Sequence, residues 1–526
     1  MRVLFVMFDT LNRRSLQCYG GNTVKTPNFD RLARRSVVFD THYVGSLPCM
    51  PARREMMTGR YNFLHRSWGP LEPFDHALPE LLYQAKGVYS HLSTDHLHYW
   101  DDGGSTYHNR FDSYDLIRGN QGDRWKAVVA PDEAAWKEKY HPVQLRTERR
   151  NVFRHDMINR EFIKTPEDFP AAKTFQAGLE FLERNKDADN WFLQLETFDP
   201  HEPFDVPAMW RADYPTHYRG PTLDWPPYGP AHETPDEVAE LRANYAATLA
   251  HCDYQLGRVL DLLDRHDMWK DTAVLMTTDH GFLLGEQDLW GKCLMPVYNE
   301  VAHIPLTIWH PAHAAQAGQR RTALTQTIDL VPTFLDMFGV PAPAEVQGRS
   351  LLPLLDDPNA SVREFGLYGQ HGCAINITDG RYTLFYYPPD INGGDLYNYT
   401  LMPTHLKRRF SVAELQSATL APPFDFTQGV PLLKVLCDEK SPIYNFLGAG
   451  VQIDCRTRLY DLQEDPGQLH PIEAPDIRDR LLSQIVALMR ANDAPAEAYR
   501  RFGLTAGTTA GAPPTSGCAA DGARSA

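Results

Sequence analysis

With 526 residues, 43% of them apolar and 23% charged, the chain has the make-up of a soluble globular protein, with room for one large domain and a smaller companion. Its formal charge of −15 excludes a nucleic-acid surface built on basic patches. The longest apolar run near the start, Val3 to Phe8, is too short for a membrane span or a secretory signal.

That run reads as a first strand covered on both faces, leaving Asp9 at its carboxyl end. Thr26-Pro27 opens a helix through about Arg35, and Leu78-Pro79 another through Lys86. The strand pattern returns at Trp191 to Phe198, ahead of Asp199-Pro200-His201, and at Thr272 to Thr278, ahead of Asp279-His280-Gly281. Between these two, Thr234-Pro235-Asp236-Glu237 starts the longest helical pattern, carried by Val238, Leu241, Tyr245 and Leu249 to about Leu263.

After about Arg349 the pattern changes to short strands at Tyr368, Ile375 to Ile377 and Tyr382 to Tyr387, with Asp379-Gly380 as a turn, followed by a helix from Pro475 to Ala491. There is no internal repeat. The expected fold is therefore α/β, a large mostly parallel sheet flanked by helices over 1–349, with a smaller α+β subdomain over 350–504. Residues 505–526, rich in Gly, Ala, Thr, Ser and Pro, are predicted to be a disordered tail.

Open α/β sheets bind ligands beyond the carboxyl ends of their strands, so Asp9, His201, Asp279 and His280 can converge. The eight cysteines (Cys18, Cys49, Cys252, Cys293, Cys373, Cys437, Cys455, Cys518) are scattered without a close pair. This argues against a disulfide scaffold or a structural zinc site and predicts a reducing, cytoplasmic setting. Cys49 stands apart, because Pro51 suits a first helical turn and puts Cys49 just before a helix start, where free N–H groups and the helix dipole favour anions. Arg53 adds a positive charge in the same turn.

The run Cys49-Met50-Pro51-Ala52-Arg53 resembles the C-x-P-x-R signature of the sulfatase family, formylglycine-dependent members of the alkaline phosphatase superfamily. The resemblance extends in family order through Asp9-Thr10-Leu11, Thr26-Pro27-Asn28, Pro200-His201-Glu202-Pro203, Asp279-His280-Gly281 with Lys292, and Leu459-Tyr460-Asp461-Leu462 with Asp465-Pro466. It implies an alkaline phosphatase-like fold and oxidation of Cys49 to formylglycine by a formylglycine-generating or other sulfatase-maturing enzyme. It further implies hydrolysis of a small anionic ester, a sulfate monoester first, with no nucleic acid or membrane as partner. By resemblance, one divalent cation (Ca, Mg, Mn or Zn) is held by Asp9, Thr10, Cys49, Asp279 and His280, while Cys49, Arg53, His201 and Lys292 are catalytic.

Three positions depart from the commonest pattern. Thr10 stands where many members have a second Asp, and His280 where many have Asn; fewer oxygens and a histidine shift the balance from calcium toward manganese, zinc or magnesium. The family's G-K-W-H stretch is replaced by Thr94-Asp95-His96-Leu97-His98, which makes Asp95, His96 and His98 candidate substrate contacts and Asp95 a candidate selector of a positive group. Similar divergence occurs in relatives that cleave phosphonate monoesters and phosphodiesters, so that activity is the alternative. A non-catalytic anion-binding protein, or one using unmodified Cys49, are further readings. Trp68, Trp100 and Trp125 are candidate pocket aromatics.

Overall fold

The computed structural model describes residues 1–148 and 150–505. Cys518 and, but for Thr505, the predicted tail lie outside the described residues.

The expected α/β architecture is present as an eight-stranded sheet with helices on both faces. Across the sheet the strands run Arg320–Arg321, Val37–Phe39, Leu306–Trp309, Thr272–Thr278, Arg2–Phe8, Trp191–Thr197, Tyr89–Thr94 and Ser113–Leu116. All pairings are parallel except those of Leu306–Trp309, which is antiparallel to both neighbours. The three strands read from continuous apolar runs are thus adjacent, with Arg2–Phe8 in the middle, and Phe8 is level with Thr197 and Thr278. Their carboxyl ends open at one place.

All seven residues of Arg2–Phe8 are buried, and the period-2 alternation of a strand sends them into two cores. Val3, Phe5 and Met7 join the core containing the helix Leu330–Met337, with Phe5 and Phe334 ring centroids 5.1 Å apart. Leu4, Val6 and Phe8 join the core made by the helices Pro27–Arg35, Pro170–Arg184 and Pro235–Arg265. The last of these begins at a capping box in which Thr234 and Glu237 satisfy each other's backbone N–H groups, so Thr234-Pro235 fixes its start.

A second sheet, in the order Arg458–Asp461, Tyr382–Tyr386, Ile375–Thr378, Gly366–Gln370 and Ser46–Leu47, is backed by the helix Pro475–Ala491. Its edge strand comes from far upstream: Gly369 pairs with Ser46 and Gln370 with Leu47 in parallel. A third small sheet joins Tyr397–Thr400, Leu432–Leu436 and Thr419–Ala421. Among the described residues no helix is long and apolar enough to cross a membrane.

Candidate active site

Cys49 is the first residue of the helix Cys49–Thr58, one position further in than the sequence suggests, and all ten residues of that helix are buried. The Ser46–Leu47 strand on one side and Gly59 in the left-handed conformation at the other end fix its span. Arg53 lies one turn along, on the same face as Cys49.

The guanidinium of Arg53 is spent on carboxylates from all three central strands. Nη2 donates to Asp9 Oδ2 at 2.9 Å, Nη1 to Asp279 Oδ2 at 2.7 Å, and Nε to Glu196 Oε1 at 2.6 Å. Nη1 also reaches the Cys49 carbonyl at 3.1 Å. Every member is sealed from solvent, with Arg53 1% exposed and Asp9, Glu196 and Asp279 at 0%. Burial alone would raise the Asp9 pKa, but Arg53, His201 and Lys292 together hold it well below the usual carboxylate range.

One ligand atom from each of Asp9, Cys49, Asp279 and His280 lies within 4.8 Å of the others. His280 Nδ1 is 3.0 Å from the Gly281 carbonyl, which can only accept, so Nδ1 carries the proton. Nε2 then keeps its lone pair, 3.3 Å from Cys49 Sγ and 3.2 Å from Asp279 Oδ2. Burial, ahead of the raising effect of Asp279, lowers the His280 pKa and keeps the ring neutral. The fully buried His96 places Nδ1 3.5 Å from Asp9 Oδ2, and neither of its ring nitrogens has a hydrogen-bond partner. A buried imidazole without a partner beside two carboxylates and a free histidine lone pair fits a site built for a cation.

Thr10, in the left-handed region at φ 65°, donates its hydroxyl to Asp9 Oδ1 at 2.6 Å and accepts from Lys292 Nζ at 2.7 Å. Lys292 also stands 4.0 Å from Asp9 and 3.9 Å from Glu202. Burial works against its charge, but Cys49, Glu202 and Asp9 hold the ammonium pKa above the usual lysine value. His201 directs Nδ1 to the Glu202 carbonyl, and its pKa is held well below the usual value by burial and then by Lys292. Burial, followed by Asp9, raises the Cys49 thiol well above its ordinary value, so an unmodified Cys49 stays protonated and weakly nucleophilic.

Of the sequence-derived candidates, Asp9, Thr10, Cys49, Arg53, Asp279, His280, Lys292 and His96 meet, with His201 beside Glu202, whereas Asp95 and His98 are tied up in hydrogen bonds of their own. Asp95 is wholly buried, accepting the Phe198 N–H at 2.7 Å and the Thr197 hydroxyl at 3.4 Å, and burial pushes its pKa up to about 7. His98 bonds Asp101 at 2.8 Å, and its ring meets that of Trp68 edge-on at 5.7 Å. Trp100 is engaged with Asp123, and Trp125 lies under Lys126.

Glu196 and Glu202 escaped the sequence reading. Glu196 was visible as the lone acid in an otherwise uncharged strand, where it takes the Tyr99 hydroxyl at 2.9 Å as well as Arg53. Glu202 is the variable residue of the Pro-His-x-Pro run and accepts the Tyr228 hydroxyl.

Fold and site together define a hydrolase with a buried metal-ligand cluster and a cysteine at its reacting centre. The chain belongs to the sulfatase family: the family model described as Sulfatase matches residues 2–340, and that of N-sulphoglucosamine sulphohydrolase, C-terminal, matches 285–420. It is 28% identical to the multifunctional alkaline phosphatase superfamily protein PehA of Trinickia caryophylli, over 64% of this chain and 73% of that protein. It is 25% identical to an N-acetylglucosamine-6-O-sulfatase of Bacteroides thetaiotaomicron, over 78% of this chain and 83% of that one. The structure of a phosphonate monoester hydrolase from Silicibacter pomeroyi superposes with a TM-score of 0.62 at 21% identity, covering 93% of this chain and 95% of that one.

Proposed function

We propose that this protein hydrolyses sulfate monoesters of small anionic substrates, using a nucleophile derived from Cys49. The observation that carries the reading is the meeting of Asp9, Cys49, Asp279 and His280 within 4.8 Å, beside a buried lysine. A divalent cation (Ca, Mg, Mn or Zn) held by Asp9, Asp279, His280 and position 49 would supply Lewis-acid charge, and formylglycine made from Cys49 would supply, as its hydrate, a hydroxyl nucleophile.

The remaining work falls to the chain's own side chains. Lys292 neutralises charge that spreads over the sulfuryl oxygens, a contribution of about 3 kcal/mol for a preorganised donor. Arg53 fixes Asp9 and Asp279 and adds a permanent positive charge one turn from position 49. His201 is neutral in the free protein. An anionic ester beside it favours the protonated ring, from which the leaving-group oxygen takes its proton through Nε2, because Nδ1 is held by the Glu202 carbonyl. Thr10 orients Asp9 and Lys292, and His96, beside Asp9 with both ring nitrogens unpartnered, contributes to substrate contact. The reading includes a sulfatase-maturing enzyme as partner and a cytoplasmic setting, the latter resting on the scattered cysteines.

The second reading is hydrolysis of phosphonate monoesters or phosphodiesters, which make similar charge demands on the same clamp. The likeness to PehA and to the Silicibacter pomeroyi phosphonate monoester hydrolase supports it. Rates on 4-nitrophenyl sulfate and on a 4-nitrophenyl phosphonate ester, measured side by side, decide between them. A strong preference for the phosphonate ester overturns the sulfate reading.

A further inference from the structure

We propose that Glu202 is a positioning residue for protonation of the leaving group, its carboxylate meeting the His201 ring at Nδ1 and supporting the positive charge that the ring gains. The inference rests on the ester-hydrolase reading above, in which His201 Nε2 gives the leaving oxygen its proton, and names the group that sustains that acid.

Glu202 meets His201 twice. Its backbone carbonyl accepts from Nδ1, and its carboxylate Oε2 stands 3.2 Å from the same nitrogen. The carbonyl settles which ring nitrogen keeps the proton. Only the carboxylate adds a negative charge. Phe198 covers one face of the ring, the two centroids lying 4.0 Å apart, so the imidazole is held from two directions.

The carboxylate itself is half used. Oε1 accepts the Tyr228 hydroxyl, whereas the buried Oε2 has no hydrogen-bond partner. Lys292 Nζ, 3.9 Å from Oε2, donates instead to the Thr10 hydroxyl at 2.7 Å. Tyr228 is fixed in turn against Gly291, where φ is 116° and a Cβ would stand 2.9 Å from the ring. A buried carboxylate oxygen left bare on so firm a base calls for an explanation, and proton transfer at His201 supplies one. When the bond from the reacting centre to the leaving oxygen breaks, its electron pair stays on that oxygen, which takes the Nε2 proton. Until then the ring is positively charged, and Oε2 at 3.2 Å is placed to offset that charge.

The test measures kcat/KM in the matured full-length enzyme on 4-nitrophenyl sulfate, whose phenolate leaves without a proton, and on phenyl sulfate, whose leaving oxygen needs one. Glu202→Gln keeps the shape of the side chain and removes its charge. It is expected to cost phenyl sulfate about tenfold more than 4-nitrophenyl sulfate, equivalent to one charge-assisted contact. A side chain that only supports the fold lowers both alike. His201→Ala should show a larger selective loss of the same kind, and adding Glu202→Gln to it should change the ratio no further. A ratio that His201→Ala shifts and Glu202→Gln does not, or a further shift in the double variant, overturns the proposal alone. A ratio unchanged in His201→Ala overturns the reading of His201 as the acid, and the proposal with it. Should Glu202→Gln not fold, Glu202→Asp, which draws the carboxylate back from Nδ1, takes its place with the same selective loss expected. If neither sulfate is turned over, the sulfate reading has failed. The ratio is then taken with the 4-nitrophenyl and phenyl esters of phenylphosphonic acid, which tests Glu202 by itself.

Discussion

Arg53 donates Nε to Glu196 at 2.6 Å, a bond that ties the helix carrying position 49 to the carboxyl end of a central strand. Neither residue is accessible, and Nη1 and Nη2 of Arg53 donate to Asp9, Asp279 and the Cys49 carbonyl. Removing one partner of a buried pair costs about 3–5 kcal/mol, less where other partners remain. Glu196→Ala is therefore expected to lose about 2–3 kcal/mol in urea unfolding, and its kcat should fall because the helix no longer holds position 49 against the strand ends.

Lys292 bears on the chemical step itself. Lys292→Ala should lower kcat on the preferred ester by about 10²–10³-fold, the usual cost of one preorganised donor to transition-state charge. Steady-state kinetics read this directly, and a loss confined to KM would assign Lys292 to ground-state binding.

For position 49, Cys49→Ala should abolish turnover in matured protein. Mass spectrometry of the active enzyme should show the peptide Cys49-Met50-Pro51-Ala52-Arg53 with an aldehyde in place of the thiol-bearing methylene. An intact thiol in fully active enzyme removes the foundation of the formylglycine mechanism.

Chelation should silence the enzyme and soften it. Two carboxylates at 0% exposure gain from a bound cation, and an ion at a hundred times its Kd stabilises the fold by about 2.7 kcal/mol. Dialysis against EDTA is expected to lower the Tm and abolish turnover, with restoration tested ion by ion for manganese, zinc, magnesium and calcium. Full activity in metal-free protein contradicts the cluster's assignment.

A pH dependence of stability follows from Glu55, fully buried between Ser46 and the Thr327 hydroxyl, which donates to it at 2.8 Å. Burial pushes its pKa from 4.5 up to about 7. The native state therefore holds a proton that the unfolded chain releases above its own pKa, and stability falls as pH rises from about 4.5 to about 7. Glu55→Gln keeps the shape and removes the titration. The stability of wild type relative to this variant should decline across that window in chemical unfolding, and a flat difference refutes the shift.

The parts of the molecule legible in sequence were those with a strong local signal. Thr272–Thr278 and Pro475–Ala491 lie where the apolar pattern predicts them, and Val3–Phe8 differs only by Arg2. Asp9, Cys49, Asp279 and His280 stand at element ends, where chemistry and fold coincide. Tyr89–Thr94 was hidden because Ser, His and Thr dominate it, although neighbours on both sides bury all but its first residue. Ser46–Leu47 has only two residues, and its partner is remote in sequence.

The pairing of Ser46–Leu47 with Gly369–Gln370 also sets a clock on biosynthesis. The strand just ahead of Cys49 emerges about 320 residues before its partner, an interval of roughly 15–65 s at ribosomal speed. Throughout that interval the Ser46–Leu47 edge lacks its partner strand. In the folded protein Cys49 is 2% exposed. If a maturing enzyme oxidises this thiol as proposed, the nascent chain, in which the pairing has not yet formed, is the form that offers it most readily.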